Sequence, residues 1–178
     1  MRRSAAADAE FAEFMAARSS QLYRSAYLLT TSPHAAEDLL QTALAKAYAA
    51  WGRVRAADDP VAYVHGVLIK SFLSERRRRS STELPVAEAF DRPAVCADPT
   101  ERVALMAALS QLAPLDRAVV VLRFWEDRSV SQTAADLDLS EAAVKNRSLR
   151  ALRTLRGLLA EAAEPLDTTP STSTRSTT

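Results

Sequence analysis

"SVSQTAADLDLSEAAVKNRSLRAL", residues 129–152, has the layout of a helix-turn-helix. A first short helix covers about Val130–Leu137, Asp138 and Leu139 form the turn, and Ser140 is a good N-cap for a second helix. In this motif the second helix enters the major groove of DNA by its N-terminal end. The stretch therefore predicts a small helical domain that contacts DNA.

The faces of the second helix follow from its rotation of 100° per residue. With Val144 towards the core, Ala151 and Leu155 lie on the same side, and Arg147 lies at the domain edge, where it reaches a phosphate or an acid. Glu141 has two interpretations, a partner of the helix dipole, which we favour, or an acceptor from cytosine. The residues expected to face base edges are Ala142, Lys145, Asn146 and Leu149, and those expected to bind phosphate are Arg150 and Arg153.

Length and composition narrow the class of protein. The chain has 178 residues, a formal net charge of +1, 48% apolar residues and three glycines. This composition favours helix over sheet and allows one domain or two small ones. A single cysteine, Cys96, cannot form an internal disulfide. No apolar run is long enough to cross a membrane, and the N-terminus lacks the apolar core of a secretory signal, so we expect a cytoplasmic protein.

The first half of the chain also reads as helix. Residues 11–51 carry apolar residues at three- and four-residue spacing, interrupted by a turn after which Ser32 is a good N-cap. An inward stripe in the second of these helices is expected from Leu40, Leu44, Ala47 and Trp51. Gly52 is read as a stop signal, and Asp59–Pro60 as the start of a helix that runs to Arg79.

The sequence therefore predicts an all-α fold with two small helical domains joined by a flexible linker. The predicted boundaries are a disordered N-terminus at 1–10, a first domain at 11–79, a linker at 80–100, a second domain at 101–160 and a disordered tail at 161–178. Each domain has its own strongly basic helix segment, at 76–79 and at 145–156. Such charge separation indicates a polyanionic partner more than two solvated faces.

Three stretches together resemble the extracytoplasmic-function (ECF) sigma factors of bacterial RNA polymerase, in the sigma-70 superfamily. They are "LYRSAYLLTTSPHAAEDLLQTALAKAYAAWGRV" at 22–54, "DPVAYVHGVLIKSFLSERRRR" at 59–79 and "ALSQLAPLDRAVVVLRFWEDRSVSQTAADLDLSEAAVKNRSLRALRTLR" at 108–156. The resemblance covers about residues 11–158, and it is nearest to the short actinobacterial SigE-family type. It implies an alternative sigma factor that binds core RNA polymerase, recognises promoters, melts DNA and directs transcription initiation.

The resemblance also implies roles for the first domain. The segment "EDLLQTALAKAY" is similar to the helix that docks on the coiled coil of the largest polymerase subunit, with Glu37, Asp38, Gln41 and Lys46 at the contact. The loop at 52–59 and the helix after it are similar to the part that captures a flipped −10 base. Candidates for −10 binding are Tyr63, His65, Lys70, Arg76, Arg77, Arg78 and Arg79. Melted strands need phosphate neutralisation and a stacking site, although a core role for Tyr63 stays equally open.

The second domain is similar to the reader of the −35 element, so its six DNA candidates become −35 candidates. The linker would thread towards the active-site channel of the polymerase. The implied partners are core RNA polymerase, through its largest-subunit coiled coil and its flap region, and promoter DNA. The sequence leaves open whether an anti-sigma factor is a further partner, and it predicts no membrane insertion.

Several positions depart from the family's pattern. His65–Gly66 stands where a basic pair is frequent, and Lys70 stands where an asparagine is frequent, which predicts weaker capture and melting of the −10 element. Leu115–Asp116 replaces frequent basic residues, which predicts fewer −35 phosphate contacts. Asp138 replaces the usual turn glycine, and aspartate tolerates the left-handed conformation that such a turn uses.

Two other classes of protein compete with this interpretation. A stand-alone helix-turn-helix regulator, with an N-terminal domain that binds another protein, would need neither the docking helix nor the first basic helix. An enzyme has little support, because the sequence has no phosphate-binding glycine loop and no nucleophile paired with a base. No cofactor and no metal site are predicted, since His65 has no partner ligands at metal spacing.

Overall fold

The computed structural model describes residues 5–80 and 99–163, and every regular element in these ranges is a helix. The predicted all-α fold with two helical domains is confirmed. We call α1–α4 the first domain and α5–α8 the second domain. The helices are α1 (Ala5–Thr30), α2 (Pro33–Ala49), α3 (Trp51–Val54), α4 (Pro60–Ser80), α5 (Pro99–Gln111), α6 (Pro114–Val120), a π-helical turn (Val121–Trp125), α7 (Val130–Leu137) and α8 (Glu141–Ala163).

Helix starts in the first domain follow their capping residues. The Ser32 hydroxyl accepts a hydrogen bond from the Ala35 amide at 3.4 Å, and the Asp59 carboxylate accepts one from the Ala62 amide at 2.9 Å. The predicted Ser32 cap is confirmed, and so is the predicted helix start at Asp59–Pro60, for which Asp59 supplies the cap. The prediction that Gly52 stops a helix is wrong, because Gly52 lies inside α3. Trp51 and Val54, three residues apart, are both buried, and their burial holds the helical turn together across the glycine.

Both chain ends are more helical than the sequence predicted. Helix α1 begins at Ala5, so the predicted disorder of residues 1–10 is wrong for residues 5–10. Three alanines start the helix, and the Tyr48 hydroxyl of α2 donates to Asp8 at 2.8 Å. Helix α8 runs to Ala163 and so includes the first residues of the predicted tail. Most of the predicted linker, 81–98, and the rest of the tail lie outside the described residues.

The core of the first domain is built on α2 and on aromatic contacts to α1. The Phe11 ring meets the Trp51 ring edge-on, with centroids 5.1 Å apart. Two members of the predicted inward stripe, Ala47 and Trp51, are buried as predicted. In place of Leu40 and Leu44, the buried positions of α2 are Ala36, Leu39 and Ala43. Leu40 and Leu44 are partly buried, and they pack at the edge of the cluster around Phe11 and Trp51. Small alanines on the buried side let α1 and α4 approach α2 closely.

The two domains share one continuous apolar core, which the sequence did not predict. Leu68 and Phe72 of α4 pack in the same cluster as Val121 and Leu122 of the second domain. The buried guanidinium of Arg117 also joins the domains: it donates to the carbonyls of Leu29 at 2.8 Å, Ser110 at 2.7 Å and Leu112 at 3.1 Å. Burial lowers the pKa of Arg117 to about 10.

Candidate nucleic-acid and partner interfaces

The turn between α7 and α8 has the backbone that a helix-turn-helix needs. Asp138 adopts the left-handed conformation, with φ of 53°, and ends α7. The Ser140 hydroxyl then accepts from the Ala143 amide at 3.1 Å and caps α8. At the other end of α7, Ser129 and Gln132 form a reciprocal capping box. These caps fix both ends of the short helix, so the direction in which α8 leaves the domain is set locally.

Helix α8 presents one exposed face and one buried face. Val144, Ala151 and Leu155 are buried against the rest of the second domain, as the sequence predicted. Leu149 is 63% exposed, which is unusual for a leucine and leaves its side chain free for an apolar contact. The six residues predicted to contact DNA are all exposed: Ala142, Lys145, Asn146, Leu149, Arg150 and Arg153. The structure therefore places all six where a ligand can reach them.

Two arginines of α8 share one buried carboxylate, that of Asp116, which the sequence marked only as the replacement of a frequent basic residue. Arg147 and Arg150 each approach a different oxygen of Asp116, and both distances are 2.6 Å. Arg147 was expected to reach a phosphate or an acid, and in the structure it reaches an acid. Glu141 lies in the first turn of α8, 4.0 Å from the Lys145 ammonium, which agrees with its interpretation as a dipole partner.

The candidates on α4 divide between two faces of the helix. Tyr63, Lys70 and Arg77 are seven residues apart and share a face, on which Lys70 and Arg77 are exposed and Tyr63 is half-buried. Arg78 is exposed beside them, and the guanidinium of Arg76 lies over the Phe72 ring, 5.7 Å from its centroid. The backbone of Arg79 continues the helix, and its side chain lies outside the described residues.

His65 lies on the opposite face of α4 and is only 3% exposed. Its Nδ1 atom is 3.2 Å from a carboxylate oxygen of Glu126, which comes from the second domain. The same carboxylate accepts a hydrogen bond from the Ser25 hydroxyl of α1. In this arrangement the second domain covers His65, so its predicted contact with −10 DNA is not possible while the domains are packed together. The spacing from His65 to Phe72, seven residues, already placed the two side chains on one buried stripe.

Burial lowers the pKa of His65, and the coulombic effect of Glu126 opposes that shift. The cations and acids that also act on the imidazole are Arg128, which lowers its pKa, and Asp59 and Asp136, which raise it. Arg128 and Asp136 are themselves 3.7 Å apart. The contact between the domains therefore includes two buried polar features, the group around His65 and Glu126 and the Arg117 guanidinium, within a largely apolar interface.

The candidate polymerase contact on α2 is partly assembled. Glu37, Asp38, Gln41 and Lys46 are all exposed. Glu37 and Gln41 lie one turn apart, with Asp38 beside them, so these three form one polar surface. Lys46 is turned by about half a turn from Glu37. Its ammonium donates to the Ser71 hydroxyl of α4 at 2.9 Å, which directs it away from the other three.

The second domain carries a pair of exposed aromatic residues that were not predicted from the sequence. Phe124 is 53% exposed and Trp125 is 49% exposed, at the end of the π-helical turn. The wider turn ends with the Glu126 amide donating to the Val121 carbonyl at 3.0 Å. Neighbouring large apolar side chains on a surface are a frequent mark of a protein-binding site. Their spacing alone did not show this, because "VVVLRFW" reads as a continuous core segment.

No three His, Cys, Asp or Glu side chains within residues 5–80 and 99–163 group so that they could hold a metal ion. None of the helices in these ranges combines the length and hydropathy needed to cross a membrane.

Comparison with known families gives two matches that follow the domain division. The model described as Sigma-70 region 2 matches residues 14–82, and the model described as Sigma-70, region 4 matches residues 102–155. The first covers α4 with its basic end, and the second covers the helix-turn-helix.

Whole proteins match over most of the chain. An RNA polymerase sigma-E factor of Streptomyces coelicolor is 40% identical over 146 residues, which cover 80% of this chain and 81% of that protein. The ECF RNA polymerase sigma factor SigM of Mycobacterium tuberculosis is 28% identical over 132 residues, covering 74% of this chain and 67% of that protein.

A solved structure shares the fold. It is the sigma factor RpoE in complex with the anti-sigma factor NepR from Bartonella quintana, with a TM-score of 0.71 and 24% identity, covering 85% of this chain and 97% of that one.

Proposed function

The chain belongs to the ECF group of RNA polymerase sigma factors, and we propose how its two domains divide the work of promoter recognition. The first domain would bind the −10 element and the polymerase, and the second would bind the −35 element. A stand-alone regulator is not favoured, because the region 2 match covers the docking helix and the basic end of α4. This role needs binding surfaces and no catalysis by the chain itself, and it places the protein with the polymerase in the cytoplasm.

The observation that supports the −35 assignment most strongly is the exposed face of α8. Asn146 can pair with the N6 and N7 atoms of adenine, and Leu149 can contact a thymine methyl group. Arg150 and Arg153, one turn apart, can neutralise phosphates along the same groove. Buried Val144 and Ala151 fix the opposite face, so the exposed set is presented as one rigid surface.

For the −10 element, α4 offers a row of contacts along one face. Lys70 and Arg77 supply exposed positive charge, and half-buried Tyr63 is one aromatic ring from which a flipped base can gain stacking. Arg76 and Arg78 extend the positive charge towards the end of the helix. His65 is not part of this surface while the second domain covers it.

Two surfaces are proposed to bind core RNA polymerase. Glu37, Asp38 and Gln41 form the polar surface expected to dock on the coiled coil of the largest subunit. The exposed rings of Phe124 and Trp125 are suited to anchor the flap region, because aromatic anchors dominate the cores of many protein interfaces. Lys46 belongs to the first surface only if it releases Ser71.

The packed arrangement of the domains cannot serve both promoter elements at once. The centres of the −10 and −35 elements are about 25 base pairs apart, or about 85 Å at 3.4 Å per base pair. A compact chain of this length has a radius of gyration of about 16 Å, far too small for that span. We therefore propose that the domains separate on the promoter. Eighteen residues, 81–98, separate the described ranges along the chain, and a chain of that length can span at most roughly 60 Å, which leaves room for the separation.

We include an anti-sigma factor among the expected partners. The structure that shares this fold is a sigma factor crystallised with the anti-sigma factor NepR. A partner of this kind would act against the separation proposed here by stabilising the packed domains. An anti-sigma factor of this kind should bind the free chain, and its addition should suppress transcription by the holoenzyme.

The test is run-off transcription on genomic DNA, with sigma-free core polymerase from an actinobacterium, followed by sequencing of RNA 5′ ends. New start sites with shared −35 and −10 elements are expected only when the chain is added. A variant carrying Lys145→Ala, Asn146→Ala and Arg153→Ala should lose them while still binding core polymerase. Failure of the chain to bind core polymerase would contradict the proposal and favour the stand-alone regulator.

A further inference from the structure

The most informative contact outside the surfaces already assigned is the one between α6 and α8. Asp116, in the first turn of α6, is 6% exposed. Its Oδ1 atom accepts a hydrogen bond from Arg147 and its Oδ2 atom accepts one from Arg150, each at 2.6 Å. Both oxygens of one buried carboxylate are therefore used to hold two side chains of the helix that carries the DNA candidates.

The two arginines differ in how much of each guanidinium remains available. The Arg150 side chain is 61% exposed and that of Arg147 is 31% exposed, against 8% for Asp116. A guanidinium carries five N–H donors in a fixed plane, so a hydrogen bond to one carboxylate oxygen leaves other N–H groups available for a second acceptor. Arg150 follows Asn146 by one turn and precedes Arg153 by three residues, so the three exposed side chains lie on the same face of α8.

We propose that Asp116 is a positioning residue for −35 DNA: its carboxylate orients Arg150, with Arg147 as a buttress, so that the outer donors of Arg150 meet a phosphate. This inference rests on the proposed −35 role of α8. The physical reason is entropic, since a free arginine loses rotamer freedom when it binds phosphate, and Asp116 has already removed that freedom.

An opposite effect competes with positioning. A carboxylate near the DNA face also cancels one positive charge and so weakens attraction to phosphate. Positioning is expected to dominate. The hydrogen bonds from Asp116 to the planar guanidinium groups are short and charge-assisted, whereas the repulsion between Asp116 and the DNA phosphates acts at a longer distance and is screened by salt. The sign of the change in affinity therefore separates the two effects.

The experiment uses holoenzyme reconstituted with the full chain and a duplex fragment of a promoter mapped by the run-off test. A matched fragment with a scrambled −35 element defines −35-dependent binding. Asp116→Asn and Arg150→Ala should each weaken that binding about fivefold to tenfold and lower the slope of log affinity against log salt by about one charge. The double variant should be no weaker than either single variant, because both remove the same contact.

Two further variants protect the test from a simple folding defect. Asp138→Asn removes one acid from the exposed turn of the same domain, where asparagine tolerates the backbone, and it should leave the affinity unchanged or raise it slightly. Arg150→Lys keeps the charge on an exposed position but loses the planar fork, and it should reproduce most of the loss seen with Arg150→Ala.

Tighter binding by Asp116→Asn, a steeper salt slope, or additive losses in the double variant would overturn the positioning role and leave the −35 assignment intact. Wild-type affinity of Arg150→Lys would do the same. Equal binding of wild-type holoenzyme to the intact and scrambled fragments would overturn both, because α8 would then not read the −35 element.

Discussion

Helix α8 and helix α4 carry the two sets of DNA candidates, and they differ in what decides the direction of each side chain. All six candidates on α8 are exposed. On α4, Lys70 and Arg77 are exposed, whereas His65 is buried beneath Glu126 of the other domain. The buried face of α8 packs mainly against helices of its own domain, whereas one face of α4 is covered by the other domain.

This difference explains where sequence patterns were sufficient. A helical period states which residues share a face, and a core within the same domain decides which face is buried. When a second domain covers another face, the period still groups the residues correctly but does not identify the covered side. Substitutions at the interface between the domains and on the exposed face of α8 should therefore differ in their effects.

Arg117→Leu should break the contact between the domains most severely. It would leave the buried carbonyls of Leu29, Ser110 and Leu112 without their shared donor. We expect a loss of about 3 kcal/mol or more in the free energy of unfolding, measured with urea. Arg153→Ala, on the exposed face of α8, should stay within about 0.5 kcal/mol of wild type. A loss of less than about 1 kcal/mol for Arg117→Leu would contradict the shared core, because it would mean that the three carbonyls do not depend on Arg117 for their hydrogen bonds.

Glu126→Ala tests the polar cluster that covers His65. Without this carboxylate the Ser25 hydroxyl loses its buried acceptor and the imidazole loses the acid next to it, so stability should fall by about 1–3 kcal/mol. Glu126→Gln retains an acceptor for Ser25 and should recover part of the loss. Glu13→Ala, which removes an exposed acid from α1, is the control. Equal stability of the Glu126 and Glu13 variants in thermal and urea unfolding would show that the cluster contributes nothing.

Asn146→Ala tests whether the exposed face of α8 reads a base directly. It should lower discrimination at one adenine position of the −35 element by about 1–3 kcal/mol, roughly tenfold, with little change elsewhere. Arg153→Ala should instead weaken binding to all promoters alike and reduce the salt slope by about one. Holoenzyme affinities for promoter fragments with single base changes measure both. The same profile of base preference for the two variants would count against direct readout by Asn146.

His65→Gln is expected to have the smallest effect, a change in pH dependence. Burial lowers the pKa of His65 below its ordinary value of 6.5, so the unfolded chain takes up a proton first as the pH falls. The stability of the wild type should therefore be complete above about pH 6.5 and decline between there and the lowered pKa. The variant should show a flatter profile over that window, and parallel profiles would rule out a buried neutral His65.

The sequence was most informative where structure is local. Ser32 and Ser140 cap helices as predicted, and a helix starts at Asp59–Pro60 as predicted. Asp138 takes the left-handed turn, and α7 spans the predicted residues. The prediction that a helix stops at Gly52 failed because burial of Trp51 and Val54 outweighs the weak helix propensity of one glycine.

Long-range contacts could not be predicted. The Ser25–Glu126 hydrogen bond joins residues 101 positions apart, and the Asp116–Arg150 bond joins residues 34 positions apart. No periodicity connects such pairs, because their meeting depends on how whole helices pack. Asp116 was noticed only as a missing basic residue, and its contact with two arginines gives that departure a physical role.

The two domains share a core in the free chain, and we propose that they separate to reach the two promoter elements. This proposal is tested by fluorescence energy transfer between labels at Glu13→Cys and Ala160→Cys, both exposed positions, in a Cys96→Ser background. We expect one short distance in the free chain and a distance longer by tens of ångströms in the holoenzyme–promoter complex, since the elements lie about 85 Å apart. An unchanged distance in a complex that initiates transcription would contradict the account.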